Sequence, residues 1–376
     1  MLPSVSSLIS CSPHPVHPAD AIPVAVPTLW TGSSSPDPGH VADPSRPPRE
    51  AIGDVDPLRI GVDLGGTKIE AVLVRANRGP TVPDVLARLR RPTERERGYE
   101  HVLSNVAQII WDVAAQAGIS PSSLPPIGVG MPGAVTRAGV VKNSNTICLN
   151  GRPFRSDLIR RVGAPIAFAN DANCFALAES TYGAGRGHEL VFGVILGTGV
   201  GGGIVLCDPE RQAQGQPGRS WNGPQGIAGE WGHVTLDPDG PPCYCGRRGC
   251  VETYLCGPAL EGDYARRSGQ RLPLVDIAQR AEQGHDSAAV ATLQHAMQMF
   301  GRALACVVNI LDPDVIVLGG GVSHLDCWYG SGRSEVARWV FSDELTTPIV
   351  RYQISDSAGV LGAALLPGVP APFGQP

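Results

Sequence analysis

Positive charge is in short supply in this chain: 30 Lys and Arg stand against 35 Asp and Glu, for a net charge of −5. A nucleic-acid binder is more often basic or carries a basic stripe. Only short basic runs occur, such as residues 88–97, which read as a solvated helix or loop face. No stretch approaches the ~18 apolar residues of a membrane helix, so no membrane partner is expected. A basic segment near the start is missing as well, since the first Lys or Arg is Arg46. Neither a signal peptide nor a transit peptide is expected, and the chain reads as cytoplasmic. In a reducing compartment its ten cysteines do not read as a disulfide framework. The P-loop order Gly-Lys-Ser/Thr is absent too, which removes the commonest phosphate cradle.

What is present can fold: 376 residues, 42% of them hydrophobic, leave room for two domains. Residues 1–57 are rich in Pro and Ser without a sustained apolar period. They are expected to be a disordered extension, or to follow from a start codon placed too far upstream. Cys11, His14 and His17 within them read as unstructured polar sequence.

Order is expected from Leu58. A short buried strand at Ile60–Val62 leads into a glycine turn, residues 63–68, and an apolar run returns over Ile69–Val74. The same design recurs with a strand at Val191–Leu196, a turn at Gly197–Gly203 and a return at Ile204–Leu206. Two strand–turn–strand units suggest a duplicated fold, although each is also readable as an ordinary hairpin. Between them the pattern predicts a helix over 99–117, strands over 127–130 and 165–169, and an Ala-rich helix over 172–179. Asp286 caps a long helix whose apolar positions, Val290 through Val308, recur at helical spacing. Asp312-Pro313 ends it before a buried strand at Val315–Leu318. Strands alternating with helices give an α/β class.

Both glycine turns suit phosphate, because glycine lets backbone N–H groups approach an anion closely. In the first, Gly65, Gly66 and Thr67 supply N–H and hydroxyl donors, Lys68 adds charge, and Asp63 can hold Mg²⁺ through water. The second formally matches G-x-G-x-x-G, but strand-like residues come after it where a dinucleotide turn would open a helix. Asp171 follows a strand beside Asn170. It reads either as a general base toward a sugar hydroxyl or as a helix cap. His233, Cys243, Cys245 and Cys250 form a complete tetrahedral set for a structural Zn²⁺, and Glu230 and Glu252 bracket it. Cys256 reads as packed, and Cys148, Cys174, Cys207, Cys306 and Cys327 as small buried hydrophobes.

Along residues 58–366 the chain resembles the ROK family of sugar kinases. The resemblance is carried by GVDLGGTKIE (61–70), GVGMPG (128–133), ANDANCFALAE (169–179), LGTGVGGG (196–203), AGEWGHVTL (228–236), CYCGRRGC (243–250) with VET after it, and DPDVIVLGGGVS (312–323). Residues 139–154, 242–253 and 309–321 resemble the bacterial fructokinase and mannokinase branch more than the N-acetylglucosamine kinases. The resemblance implies an α/β, actin-like ATPase fold: two ribonuclease-H-like domains, 58–170 and 171–366, around a cleft. A zinc element at 233–250 and a tail at 367–376 complete the organisation.

It also implies ATP and Mg²⁺ as cofactors, a structural Zn²⁺, and a hexose as the small-molecule partner. Asp171 would be the base, and Asn170, Glu230, His233 and Glu252 the sugar contacts. Gly65, Gly66, Thr67, Lys68, Gly197, Thr198 and Gly199 would hold ATP phosphates, with Gly319 and Gly320 near the nucleotide and Asp63 serving Mg²⁺. D-fructose is the expected acceptor, with mannose, glucose or N-acetylglucosamine as alternatives. A homodimer is expected from the resemblance. A non-catalytic sugar-responsive regulator is the other class weighed, but the helix-turn-helix of ROK repressors is not seen in the N-terminal segment.

Overall fold

The computed structural model describes residues 58–368, apart from 78, 80, 137, 355 and 356. The expectations for 1–57, and all but the start of the 367–376 tail, lie outside the described residues. The first half runs β1 (Leu58–Leu64), β2 (Lys68–Arg75), β3 (Asp84–Pro92), α1 (Tyr99–Ala115), β4 (Ile127–Met131), β5 (Ala134–Val135), β6 (Val141–Lys142), α2 (Phe154–Val162) and β7 (Ile166–Asn170). The second runs α3 (Asp171–Tyr182), β8 (Leu190–Leu196), β9 (Val200–Leu206), α4 (Pro209–Ala213), β10 (Arg219–Ser220), α5 (Glu252–Leu255), α6 (Gly257–Ser268), α7 (Leu274–Glu282), α8 (Ser287–Leu311), β11 (Val315–Gly319), α9 (Ser331–Ala337), β12 (Ile349–Arg351) and α10 (Ala358–Leu365).

Two five-stranded sheets have the same layout, β3-β2-β1-β4-β7 and β10-β9-β8-β11-β12. In each, a hairpin occupies one side and two further strands run parallel to its first strand. The repeated strand–turn–strand pattern is therefore a repeat of whole sheets, as the actin-like fold requires.

Between the sheets lie α3 and α10. α3 is buried on nearly every side, as a helix enclosed on all faces must be. Glycines let it and α10 press onto the strands: a Cβ on Gly203 would lie 2.5 Å from the Ala172 carbonyl, and one on Gly61 2.1 Å from that of Val360. α10 comes after the second sheet in sequence yet packs on β1 and β4 of the first. A division at 170/171 thus separates the sheets but not the helices that cover them. Buried Glu179 on α3 accepts hydrogen bonds from the N–H groups of Ala184, Gln353 and Ile354, tying α3 to the segment that enters α10. The long helix α8 starts where Asp286 accepts from the Ala289 N–H at 3.1 Å, and stops at Asp312, in the left-handed region at φ 45°.

Two sequence expectations change. Residues 88–92 are not a helix or loop face; they end strand β3. Arg88 and Arg90 reach buried Glu70 at 3.4 and 3.0 Å, engaged because a buried carboxylate must be neutralised, and Arg91 pairs with partly exposed Asp112. The second glycine turn is also shorter than expected, because β9 begins at Val200. Gly201–Gly203 are strand residues, kept free of side chains by α3 and Trp231. Among the described residues no helix is long and apolar enough to cross a membrane.

Candidate active site

The chain turn at Gly197–Gly199, between β8 and β9, forms one wall of a pocket of about 240 Å³. Asn170 and Asp171, at the junction of β7 and α3, form another. Glu230, His233, Tyr244 and Glu252 come from the segment after β10 and the start of α5. The Asp171, Asn170, Glu230, His233 and Glu252 singled out from sequence therefore share one cavity with Gly197, Thr198 and Gly199.

The two readings of Asp171 turn on its neighbour. Asn170 is the N-cap of α3: its side-chain oxygen accepts from the Ala172 N–H at 2.9 Å, and its amide donates to the Gly133 carbonyl at 3.1 Å. Asp171 sits one position inside the helix, with one oxygen accepting from the same N–H at 2.9 Å. Its carboxylate is not needed as the cap and remains able to face the pocket. Burial pushes its carboxyl above the ordinary range. Asp63, at the end of β1, is pushed up to about 7 by burial first and then by the charges of Asp171 and Glu70, against Lys68. Asp63 thus lies within electrostatic reach of Asp171.

Glu230 is held through its neighbour Trp231. The Trp231 indole N–H donates to the Gly201 carbonyl at 3.2 Å, and the ring covers Gly202. This pins the single turn Trp231–His233 onto β9. Burial, then the charges of Asp171 and Glu252, raises the Glu230 carboxyl. Glu252 accepts from the Val200 N–H at 2.9 Å.

The ligand atoms of His233, Cys243, Cys245 and Cys250 all lie within 4.8 Å of one another. Cys243 Sγ is 3.6 Å from His233 Nδ1, and Cys245 Sγ is 3.6 Å from Cys250 Sγ. A tetrahedral site with Zn–S bonds of ~2.3 Å has S···S edges of ~3.8 Å, so the donor set fits a closed zinc site.

The remaining predicted residues lie around the pocket, not in its lining. Gly65 N–H donates to the Lys68 carbonyl at 2.9 Å, closing the first turn, with Thr67 and Lys68 exposed at its tip. The Lys68 ammonium is 3.9 Å from Glu70. Gly319 is a correction: it is buried in β11 with the Phe175 ring 2.4 Å from where a Cβ would lie, so it is a packing position. Gly320, at φ 82°, abuts the Leu196 carbonyl beneath the second turn, where the Gly257 N–H also donates to Gly197 O at 2.8 Å.

Sequence reasoning missed Asn143, Asn145 and Tyr244, which line the pocket, and Arg95, whose guanidinium donates to Asn145 O at 2.9 Å beside Gly66. The signals were the Asn-Ser-Asn triplet and an aromatic residue between two ligand cysteines. The triplet reaches the site because Gly133, at φ 82°, allows residues 142–144 to pass where a Cβ would clash at 2.6 Å.

The sequence model of the ROK family matches residues 59–368. A glucokinase from Thermotoga maritima is 32% identical over 322 residues, 81% of this chain and 95% of that protein. An N-acetyl-D-glucosamine kinase from Pectobacterium atrosepticum is 32% identical over 81% of this chain and 97% of its own length. Among solved structures, the ROK hexokinase from Thermus thermophilus superposes with a TM-score of 0.68 at 34% identity, over 82% of this chain and 97% of that one. These names support the expected family and fold. The curated relatives named here are a glucokinase and an N-acetyl-D-glucosamine kinase, so they do not bear out the expected fructokinase and mannokinase branch.

Proposed function

The chain belongs to the ROK family of sugar kinases, and from that premise we propose that it transfers the γ-phosphoryl group of ATP to the 6-hydroxyl of a hexose, D-fructose first among the acceptors. The observation that carries the reading is the shared pocket. Asp171 lies in one cavity with the Gly197–Gly199 turn and with Glu230, His233 and Glu252.

Asp171 accepts the proton of the attacking hydroxyl. Asn170, Glu230 and Glu252 bind and orient the sugar, with His233 acting on it through the Tyr244 hydroxyl 3.0 Å from its Nε2; polar groups of this kind reject sugars that leave them unpaired. Backbone N–H groups of Gly66 and Thr67 and of Thr198 and Gly199 receive the phosphates from opposite sides, while the Gly65 and Gly197 N–H groups close the two turns on the carbonyls of Lys68 and Gly199, with Lys68 and Gly320 at the margins. Mg²⁺ bound with the nucleotide neutralises phosphate charge, and Asp63 is the residue that would hold it. Phosphoryl transfer passes through a loose transition state, so positioning and charge neutralisation weigh more than base strength. A structural Zn²⁺ on His233, Cys243, Cys245 and Cys250 fixes the loop that carries the sugar contacts. A cytoplasmic location and a homodimer complete the proposal.

Glucose or N-acetylglucosamine is the second reading for the acceptor, favoured by the names of the relatives; mannose is retained beside them. The deciding assay is ADP release from MgATP with fructose, glucose, mannose and N-acetylglucosamine, alongside metal analysis of the purified chain. Sugar-dependent ADP release with fructose in the lead supports the reading. ADP release independent of every hexose would end it, and a clear lead for glucose would replace fructose.

A further inference from the structure

We propose that Tyr244 is a specificity-determining residue of the hexose pocket, favouring sugars with a plain hydroxyl beside His233 over N-acetylated hexosamines. The inference deepens the kinase reading and rests on it for the class of ligand.

Tyr244 lies between Cys243 and Cys245, so two members of the cysteine cluster fix its backbone. The turn that carries it is closed by the Cys243 N–H on the Arg247 carbonyl at 2.8 Å and by the Gly246 N–H on the Cys243 carbonyl at 3.0 Å. Its hydroxyl lies 3.0 Å from His233 Nε2, while Nδ1 of the same imidazole faces Cys243 Sγ at 3.6 Å. The two rings meet edge to face, with centroids 5.1 Å apart. Tyr244 is 64% exposed and lines the pocket, so core packing does not hold it. A metal-binding histidine ordinarily gives its second N–H to a carboxylate, a carbonyl or water. Here that place is taken by a solvent-facing phenol at the substrate cavity.

The hydrogen-bond inventory then dictates the selectivity. With Nδ1 turned to the sulfurs, Nε2–H donates to the phenol oxygen, and the phenol O–H is left to donate into the pocket. A sugar hydroxyl can accept from it and donate onward to Glu230 or Glu252, which line the same cavity. On this proposal the acetamido group, bulkier than a hydroxyl by a methyl and a second heavy-atom branch, is the substituent that meets the Tyr244 wall of the cavity. Seating it swings the ring away and exchanges the Nε2–H bond to the phenol for one to water, so the cost is the lost packing of the ring and of its hydroxyl donor.

The test compares the full-length chain with Tyr244→Phe and Tyr244→Ala. Calorimetric binding of fructose, glucose and N-acetylglucosamine is measured beside MgATP-dependent kinetics and zinc content. The unsubstituted protein should bind its preferred plain hexose at least about tenfold more tightly than N-acetylglucosamine. Tyr244→Phe should raise Kd and KM for that hexose about five- to tenfold with kcat within about twofold, the pattern of a lost uniform-binding contact. Tyr244→Ala should narrow the preference over N-acetylglucosamine about tenfold or more, with zinc retained. An unchanged preference in Tyr244→Ala overturns the proposal, as does an unsubstituted protein that favours N-acetylglucosamine. Loss of zinc from Tyr244→Phe also overturns it, making Tyr244 a support of the metal cluster alone. Tyr244-dependent sugar binding without phosphorylation of any sugar would instead remove the kinase reading and leave this inference standing.

Discussion

The Val200 N–H donates to Glu252 Oε2 at 2.9 Å, joining the cysteine-rich element to the second glycine turn through one hydrogen bond. Glu252 opens α5 two residues after Cys250, and Val200 opens β9 directly after Gly199. A residue expected only to contact sugar thus also braces the wall assigned to ATP.

Glu252→Ala should therefore raise KM for both hexose and ATP, by about tenfold or more, since a hydrogen bond to a charged acceptor contributes about 1.5–3 kcal/mol. Glu252→Gln keeps an acceptor for the Val200 N–H and should leave KM for ATP near its starting value while hexose KM still rises. Initial-rate kinetics with each substrate varied separates the two effects. A selective loss of hexose binding in Glu252→Ala would show that the brace has no bearing on the nucleotide.

Asp171→Asn should lower kcat by about 10²-fold or more, the usual size of a general-base contribution, with hexose affinity within a few-fold. Asn170→Ala removes the cap on α3 and should cost about 1 kcal/mol of stability, read as a lower Tm. Turnover that survives Asp171→Asn would remove that residue from the chemistry.

Activity should fall on acidification at a higher pH than an ordinary carboxylate would produce, because Asp171 has to be ionised to accept a proton and burial raises its carboxyl. A second effect concerns stability. Folded Asp63 keeps its proton up to about pH 7, against an ordinary value of 3.8. Between those values the folded state binds more protons than the unfolded chain, so the stability of the magnesium-free protein should decline as pH rises through that window. Asp63→Asn should flatten this slope in a series of melts spanning that window. An equally steep slope in the variant would assign it to other groups.

Cys245→Ser, or a strong chelator, should release zinc and raise hexose KM, because His233 and the Tyr244–Glu252 segment lose their common anchor. Zinc content, the melting profile and KM are measured on the same sample. Retained sugar affinity in zinc-free protein would separate the metal from the sugar site.

Much of the fold was legible because local rules agreed. The period of α8, its Asp286 cap and its Asp312-Pro313 stop are each readable without a neighbour, and both hairpins announced themselves by glycine between apolar runs. The arginines of β3 misled because their partner, Glu70, lies on an adjacent strand; a charge run looks solvated until a buried carboxylate is known to face it. Gly319 misled for a related reason. A glycine after a strand looks like a ligand cradle, and only the Phe175 ring against it shows a packing requirement.

Sequence alone determined the residue chemistry: three thiols and an imidazole at metal-binding spacing, two glycine turns, and an Asn-Asp pair at a strand–helix junction, because these are properties of neighbours along the chain. The structure decided which of them meet. The capping of α3 by Asn170, which releases Asp171, is a matter of backbone geometry. The electrostatic influence of Asp171 on Asp63, the bond from Val200 to Glu252 and the contact of Tyr244 with His233 join residues 11 to 108 positions apart. Such contacts depend on how two sheets and their shared helices pack, which no local pattern encodes.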